Sequence, residues 1–548
     1  MTNRIKLNQV GFMPKARKTA VYTYKDNVFG QNNDVTNMAE VEFFTITDSE
    51  GKEVYRGKLT GPVEASYAGE TVYQADFSDF SEQGTYSISI SDSVSYPFVI
   101  GDKVYDSLLK DLLRMLTKQR CGVELTEKYA GKAAHPACHN TPARIYGTEE
   151  FLDVNGGWHD AGDYGRYIVA AATAVEDLLL TYEDFKDLWS NDDLNIPESG
   201  NGIPDILDEA KFELDWMLKM QDEKTGGVYH KVTCHSFPDF VMPQEETEEL
   251  VLSPVSNAAT AAFAAIMAKA SDVYRQWDEA FCEKALSKAK KAYAYLTEHM
   301  EAAPFRNPKD IVTGEYSDKS FTDEMFWAAV ELYKVTGDKE YRDFAEKTVA
   351  NEITHGYGWD DVGSYGNMAY LSLTADLIDN DLAKKIIDAI IEEAKSYLEN
   401  SKSDGYMSAL GDNYCWGSNL PACSYARMML AAADYTGNEE YRKAAYDQMS
   451  YILGQNATGY SFVTGYGTKA ASHPHHRPSI ATGETVDGMV VGGPDGGLHD
   501  PCAVANLKGL PPARCYVDNY ESYSTNEITI YWNSPFIYLL SAMIDCNK

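Results

Sequence analysis

At about Asp106 the spacing of apolar residues changes period, and that change limits what the chain can fold into. Before it, "KTAVYTY", "EVEFFTITDS", "TVYQADFSDF" and "GTYSISISD" are rich in Val, Tyr, Phe, Thr and Ile, and Gly, Asp, Asn and Ser clusters separate them. Partial alternation with β-branched and aromatic residues marks strands. Several short strands in about 100 residues predict an immunoglobulin-like β-sandwich. After it, "DSLLKDLLRMLTKQ" places leucines on one helical face. Eleven further segments of this kind follow, from "YIVAAATAVEDLLLTY" to "EITIYWNSPFIYLLSAM". Twelve helices pair into six hairpins, and an all-α toroid of inner and outer helices closes such a set. A helical solenoid would need a fixed sequence period, and none is found. The chain of 548 residues exceeds one ordinary core, and the reading divides it into residues 1–102 and 103–548.

The formal net charge is −35, which argues against nucleic acid or an anionic membrane surface as partner and suits a neutral or cationic ligand. The start, "MTNRIKLNQVGFMPKARKTAVYTY", lacks the apolar run of a secretory signal. No apolar run is long enough to span a bilayer. A chain starting at Met1 is expected to stay in the cytoplasm. The nine cysteines agree: an odd number with none before Cys121 does not read as a disulfide framework.

Four constellations carry chemistry. Cys121, Cys138, His139 and His159 form C-x16-C-H-x19-H. Two thiolates and two imidazoles suit a closed tetrahedral zinc site, or they are a pair of buried thiols beside two solvated histidines. In "GGWHDAGDYG", Asp160 and Asp163 stand three apart among glycines, placed to bind calcium, cap a turn or polarise a water. In "SHPHHRPS", His475 and Arg477 stand two apart between prolines, as donors to sugar hydroxyls or a carboxylate, or as a polar surface loop. In "YVDNYESYSTNEITIYWNS", Asp518, Glu521 and Glu527 lie among tyrosines; Glu527 reads as a partly desolvated general acid or as an acidic helix start. Together they fit a two-carboxylate hydrolase, in which an aspartate activates water and a protonated glutamate serves the leaving oxygen. The irregular stretch from about Gly454 to Thr525 holds four of the eleven histidines, and loops that long are usually functional.

These residues resemble glycoside hydrolase family 9, in the subgroup with an N-terminal immunoglobulin-like domain. "LNQVGF", "QRCG", the "CH" pair, "GGWHDAGDYG", "IPESGNGIPDILDEAKFELDWMLKMQ" and "PHHRPS" carry the resemblance. So does a C-terminal signature met by Tyr516, Asp518, Tyr523, Glu527 and Asn533-Ser534. The resemblance implies an (α/α)6 barrel and an inverting mechanism. It makes Asp163 the general base, Asp160 its partner in holding the water, and Glu527 the general acid. His475 and Arg477 become active-site residues and Asp518 a support of the cleft. Tyr414, Trp416 and Tyr523 become sugar-binding aromatics. The Cys121, Cys138, His139, His159 quartet becomes a structural zinc site. Asp323 and Glu324, with Asp360 or Asp361, match a calcium site, although Lys319-Ser320 replaces the Ser-Gly pair common upstream.

The implied substrate is a β-1,4-glucan, and a chain without a leader points to short cello-oligosaccharides, as in a cellodextrinase. The alternatives are a secreted-type endo-β-1,4-glucanase whose leader is missing, an exo-β-glucosaminidase acting on chito-oligosaccharides, and a carbohydrate-binding zinc scaffold without turnover.

Overall fold

The computed structural model describes residues 3–28 and 42–547. The first two residues of the strand expected in "EVEFFTITDS", Glu40 and Val41, lie outside the described residues. The N-terminal region is built from eight antiparallel strands: β1 (Ile5–Leu7), β2 (Thr19–Asp26), β3 (Phe43–Asp48), β4 (Glu53–Ala65), β5 (Glu70–Asp76), β6 (Gly84–Ile90), β7 (Ser93–Val94) and β8 (Phe98–Ile100). The strand order is β1-β2-β5-β4-β3-β6-β7, with β8 also paired to β6. β4 serves two ladders. Its first half pairs with β3 and its second half with β5, and the register breaks between Thr60 and Val63 around Pro62. The strand passes from one ladder to the other at Lys58–Leu59, and the later break falls where proline has no N–H to give a ladder. The alternating inward residues, among them Phe12, Phe44, Ile46, Phe77, Ile88 and Phe98, are buried in one cluster. Phe12 meets Phe77 and Phe98 edge-on, with ring centroids 5.3 and 5.6 Å apart, the arrangement ring quadrupoles favour.

From Asp106 onward the chain is largely helical, and each of the twelve predicted segments contains a helix. The segment "NMAYLSLTADLI" is helical only over Gly363–Leu371, and "EITIYWNSPFIYLLSAM" starts its helix at Ile530. The region is not the purely helical one that the sequence predicts. A five-stranded sheet of very short strands, with Arg166–Tyr167, Lys231–Thr233 and Val251–Leu252 at its centre and edge, lies among the helices. Strands of two or three residues are too short to show a period.

The chain divides into two compact units: residues 1–115, 391–475 and 485–548 in one, and 116–390 with 476–484 in the other. In the first, the β-rich region is fastened to helical segments. Thr19 Oγ1 donates to Gln455 Oε1 at 2.8 Å, Arg17 Nε to Asp447 Oδ1 at 2.8 Å, and Gln9 N to Leu453 O at 2.9 Å. In the second, the Ala-rich helix Asn257–Val273 is buried on every face and packs on Ile168–Asp184, Glu279–Glu298 and Thr322–Thr336. Helix Glu279–Glu298 buries one stripe only, Phe281, Cys282, Ala285, Ala289, Ala292, Tyr293 and Leu296, as an outward-facing amphipathic helix does.

Candidate active site

The loop Gly156–Gly165 is held from almost every direction. Gly157 sits at φ 79°, and a Cβ there would lie 2.6 Å from the Trp216 ring, so only glycine fits. The helix Asp205–Met217 sends Glu209 and Glu213, one turn apart, down to Trp158. Glu213 Oε2 accepts the Trp158 backbone N–H at 2.5 Å, and Glu209 Oε1 accepts the indole N–H at 2.8 Å. Glu209 is also paired with Arg120, whose Nε lies 2.9 Å away. Gln119 Nε2 donates to His159 O (3.1 Å) and Ala161 O (2.8 Å).

Asp160 and Asp163 are both buried in this frame. Asp160 Oδ2 accepts the Tyr316 hydroxyl at 2.5 Å, while Asp160 Oδ1 is buried with no hydrogen-bond partner. Asp163 Oδ2 accepts the Gly165 N–H at 2.9 Å, and the Tyr167 hydroxyl stands 3.5 Å away. Burial, and then the charge of Asp163, hold the Asp160 carboxyl well above the usual range. Burial also raises Asp163, with Arg477 pulling against it. Tyr316 is itself held at φ 47°, a costly conformation for a tyrosine that recurs at functional positions. Neither Tyr316 nor Tyr167 was singled out from sequence. Tyr316 stands in "GEYSDKS", far along the chain from the loop it touches.

Arg477 lies behind the aspartate loop. Its Nη1 and backbone N–H donate to Gly162 O at 2.9 and 3.1 Å, and its Nε donates to Pro238 O at 3.1 Å. Its buried guanidinium lies over Phe237 and Phe240. The expectation of a sugar-binding arginine is corrected to that extent: these donors are spent on loop carbonyls.

The metal quartet comes together beside this loop. Cys121 Sγ lies 3.7 Å from His139 Nδ1 and 4.0 Å from Cys138 Sγ, and Cys138 Sγ lies 3.8 Å from His159 Nε2. Bonds of about 2.0–2.3 Å to a tetrahedral ion give ligand–ligand edges of roughly 3.3–3.8 Å, so the four atoms are close to the spacing such an ion needs. The other nitrogen of His139, Nε2, is 2.9 Å from Glu246 Oε2, the carboxylate partner that orients a ligating imidazole. A second group consists of Asp318, Asp323 and Glu324, with ligand oxygens all within 4.8 Å of one another. Asp361 does not join it; its carboxyl packs against Gly356 instead. Asp318, next to Lys319, joins the group. Burial raises the carboxyl of Asp360, the alternative to Asp361, and Asp323 lies near enough for its charge to raise it further. Burial, then the charges of Asp323 and Asp318, push the Glu324 carboxyl well above its ordinary range, and both its oxygens lack hydrogen-bond partners. Such a group calls for a cation.

In the first unit, Glu527 stands just before the helix Ile530–Asp545. Its backbone is bridged to His475, and its carbonyl accepts the Gly492 N–H at 2.9 Å. The His475 ring is oriented by a 2.6 Å bond between Nδ1 and Tyr520 O. Asp518 binds the chain before it: Oδ1 accepts the Ser472 and His473 N–H groups at 3.0 and 2.8 Å, and Oδ2 accepts the Ser472 hydroxyl at 2.6 Å. Burial alone would raise Asp518, but these hydrogen bonds outweigh it and hold the carboxyl below its usual range. Asp518 is thus a support. Trp416 is exposed and meets Tyr523 at 5.3 Å between ring centroids. Tyr414 is buried against Tyr67, which removes it as a sugar platform.

Residues 105–540 match the family model for glycosyl hydrolase family 9, and residues 1–95 match that of the cellulase N-terminal ig-like domain. The chain belongs to glycosyl hydrolase family 9. It is 38% identical to a cellodextrinase from Butyrivibrio fibrisolvens over 99% of this chain and 100% of that one. Among solved structures, family 9 relatives include AaCel9A in complex with cellobiose-like isofagomine, at TM-score 0.90 and 36% identity over 99% of both chains. They also include a Zn-binding triple mutant of the family 9 endoglucanase J30, at TM-score 0.90 and 32% identity over 97% of this chain and 99% of that one. This family 9 enzyme is therefore a glycoside hydrolase carrying an N-terminal immunoglobulin-like domain.

Proposed function

We propose that this hydrolase cleaves β-1,4-glucosidic bonds in cello-oligosaccharides with inversion, from a helical region arranged as an (α/α)6 barrel. The observation that carries the reading is Asp160 Oδ1: a buried carboxylate oxygen without a partner, in a fixed loop with Asp163. A buried acceptor left unpaired is costly, and a water bonded to it would answer that cost. Asp163 then takes a proton from this water as it attacks the anomeric carbon. Glu527 gives its proton to the glycosidic oxygen, which leaves as a hydroxyl. His475 orients the sugar on the acid side, and Trp416 and Tyr523 offer ring faces for it. The cellodextrinase relative supports short cello-oligosaccharides as the substrate class.

The quartet Cys121, Cys138, His139 and His159 would hold a structural zinc. With four protein ligands it leaves no position for substrate, so its role is to fix the loop; His159 immediately precedes Asp160. Asp318, Asp323 and Glu324 would hold a calcium ion, bracing the start of helix Thr322–Thr336.

Proton NMR of cellotetraose during early hydrolysis tests the reaction. The α-anomer is expected first. A β-anomer first would overturn the mechanism, and no hydrolysis would overturn the substrate.

A further inference from the structure

The turn Gly496-Gly497-Leu498-His499 is built around one exposed imidazole. The side chain of His499 is 53% exposed, yet its Nδ1 lies 2.9 Å from Oδ2 of Asp495, a carboxylate that is fully buried. That carboxylate also accepts the N–H groups of Gly497 at 2.9 Å and His499 at 2.8 Å. Two backbone features serve the same ring. Leu498 is held at φ 51°, a conformation that costs a leucine free energy. A Cβ on Gly497 would lie 2.1 Å from His499 Cε1, so any larger residue there would displace the ring from this position. A solvent-facing histidine with no task needs none of this.

Its neighbours indicate the task. The His499 ring is stacked on Trp416, with centroids 6.4 Å apart and planes 27° apart. Trp416 meets Tyr523, and Tyr523 meets His475 with ring centroids 6.0 Å apart. The four rings form a row with His475, bridged to Glu527, at one end and His499 at the other. A carboxylate only accepts hydrogen bonds, so Nδ1 carries the hydrogen towards Asp495. In the neutral imidazole, Nε2 on the opposite side of the ring is then an acceptor for an incoming donor. Sugar rings stack their C–H faces on aromatic planes and present hydroxyls at their rims. An acceptor beside an exposed tryptophan suits such a hydroxyl.

We infer that His499 is a substrate-binding residue, whose Nε2 accepts a hydroxyl of the glucosyl unit stacked on Trp416. The inference rests on the β-glucosidic reading above and deepens it. The test is kcat/KM on cellotetraose for His499→Phe and His499→Gln, each in the wild-type and the Trp416→Ala backgrounds. His499→Phe keeps a ring but no acceptor, and is expected to lower kcat/KM about tenfold, the scale of one lost hydrogen bond. His499→Gln, whose amide oxygen accepts, is expected to recover most of that loss. With Trp416→Ala the sugar is no longer held there, and His499→Phe should then cost less than about twofold. Equal costs in both backgrounds would mean a purely structural role and overturn the inference. So would a glutamine variant as impaired as phenylalanine. If the wild-type protein hydrolyses cellotetraose and His499→Phe loses nothing, this inference fails alone; if the wild-type protein leaves cellotetraose intact, both readings fail.

Discussion

The loop Gly156–Gly165 and the segment Tyr516–Glu527 carry the carboxyl groups of the proposed reaction, and they are built in opposite ways. The first is enclosed. Gln119, Arg166 and Arg477 take up loop carbonyls, glutamates from a neighbouring helix hold Trp158, and burial raises both aspartates. The second lies beside exposed aromatic rings, and its anchoring carboxyl, Asp518, is saturated with hydrogen bonds that lower it. The contrast fits the two proposed roles. A water is small and is positioned only by rigid, desolvated acceptors. A sugar is large and is positioned by faces and rims that must stay open to receive it.

The largest expected effect comes from removing either acid. Asp163→Asn and Glu527→Gln should each lower kcat on cellotetraose by about 10²–10⁴ with an unchanged circular dichroism spectrum. A variant within tenfold of wild type would remove that side from the chemistry. Next is the metal. Cys138→Ser should lower the melting temperature and reduce kcat by about 10–100-fold, the scale of disturbing a metal site's surroundings. Elemental analysis should find one zinc per wild-type chain; a metal-free protein with full activity would mean that the quartet is only a thiol–imidazole cluster.

A sharper probe of the enclosed loop is Tyr316→Phe, expected to lower kcat about tenfold by depriving Asp160 of a hydrogen bond. The pH profile gives it a sign. The base works ionised, and burial raises both aspartates, so kcat/KM should fall with pH above the ordinary aspartate range. The Tyr316 bond pulls Asp160 down, so its removal should move that acidic limb to higher pH. An unmoved limb would detach Tyr316 from the titration. The smallest effect concerns Asp318, Asp323 and Glu324. A carboxyl raised on folding binds its proton more tightly in the folded chain, so stability falls as pH rises through the window between the unfolded and the raised value. Calcium replaces that proton. It should raise the melting temperature by a few degrees at neutral pH, and by less as pH drops towards about 4. A calcium effect independent of pH would place the ion elsewhere.

Much of this was legible in the sequence because it depends on local pattern. The change from period two to helical spacing near Asp106 located the strands and the helices. The quartet was legible because thiols and imidazoles are few. What was missed depends on contacts across long separations. Tyr316 reaches Asp160 from 156 residues away. Tyr414 and Trp416, two apart in "NYCWGSN", were read alike, yet one is buried and the other exposed. His499 carried no signal, since its partner Asp495 and its strained turn matter only once Trp416 lies beside them.

The sequence by itself determined the longer N-terminal strands and the long helices, which residue types can bind a metal or move a proton, and the family. Those follow from side-chain chemistry and short-range periodicity, which every window of the chain displays. Only the tertiary structure decided which carboxyls are dry, which donors are already spent and which aromatic faces remain open. Burial and hydrogen-bond satisfaction are set by neighbours distant in sequence, and whether an aspartate holds a water or caps a turn depends on exactly those neighbours.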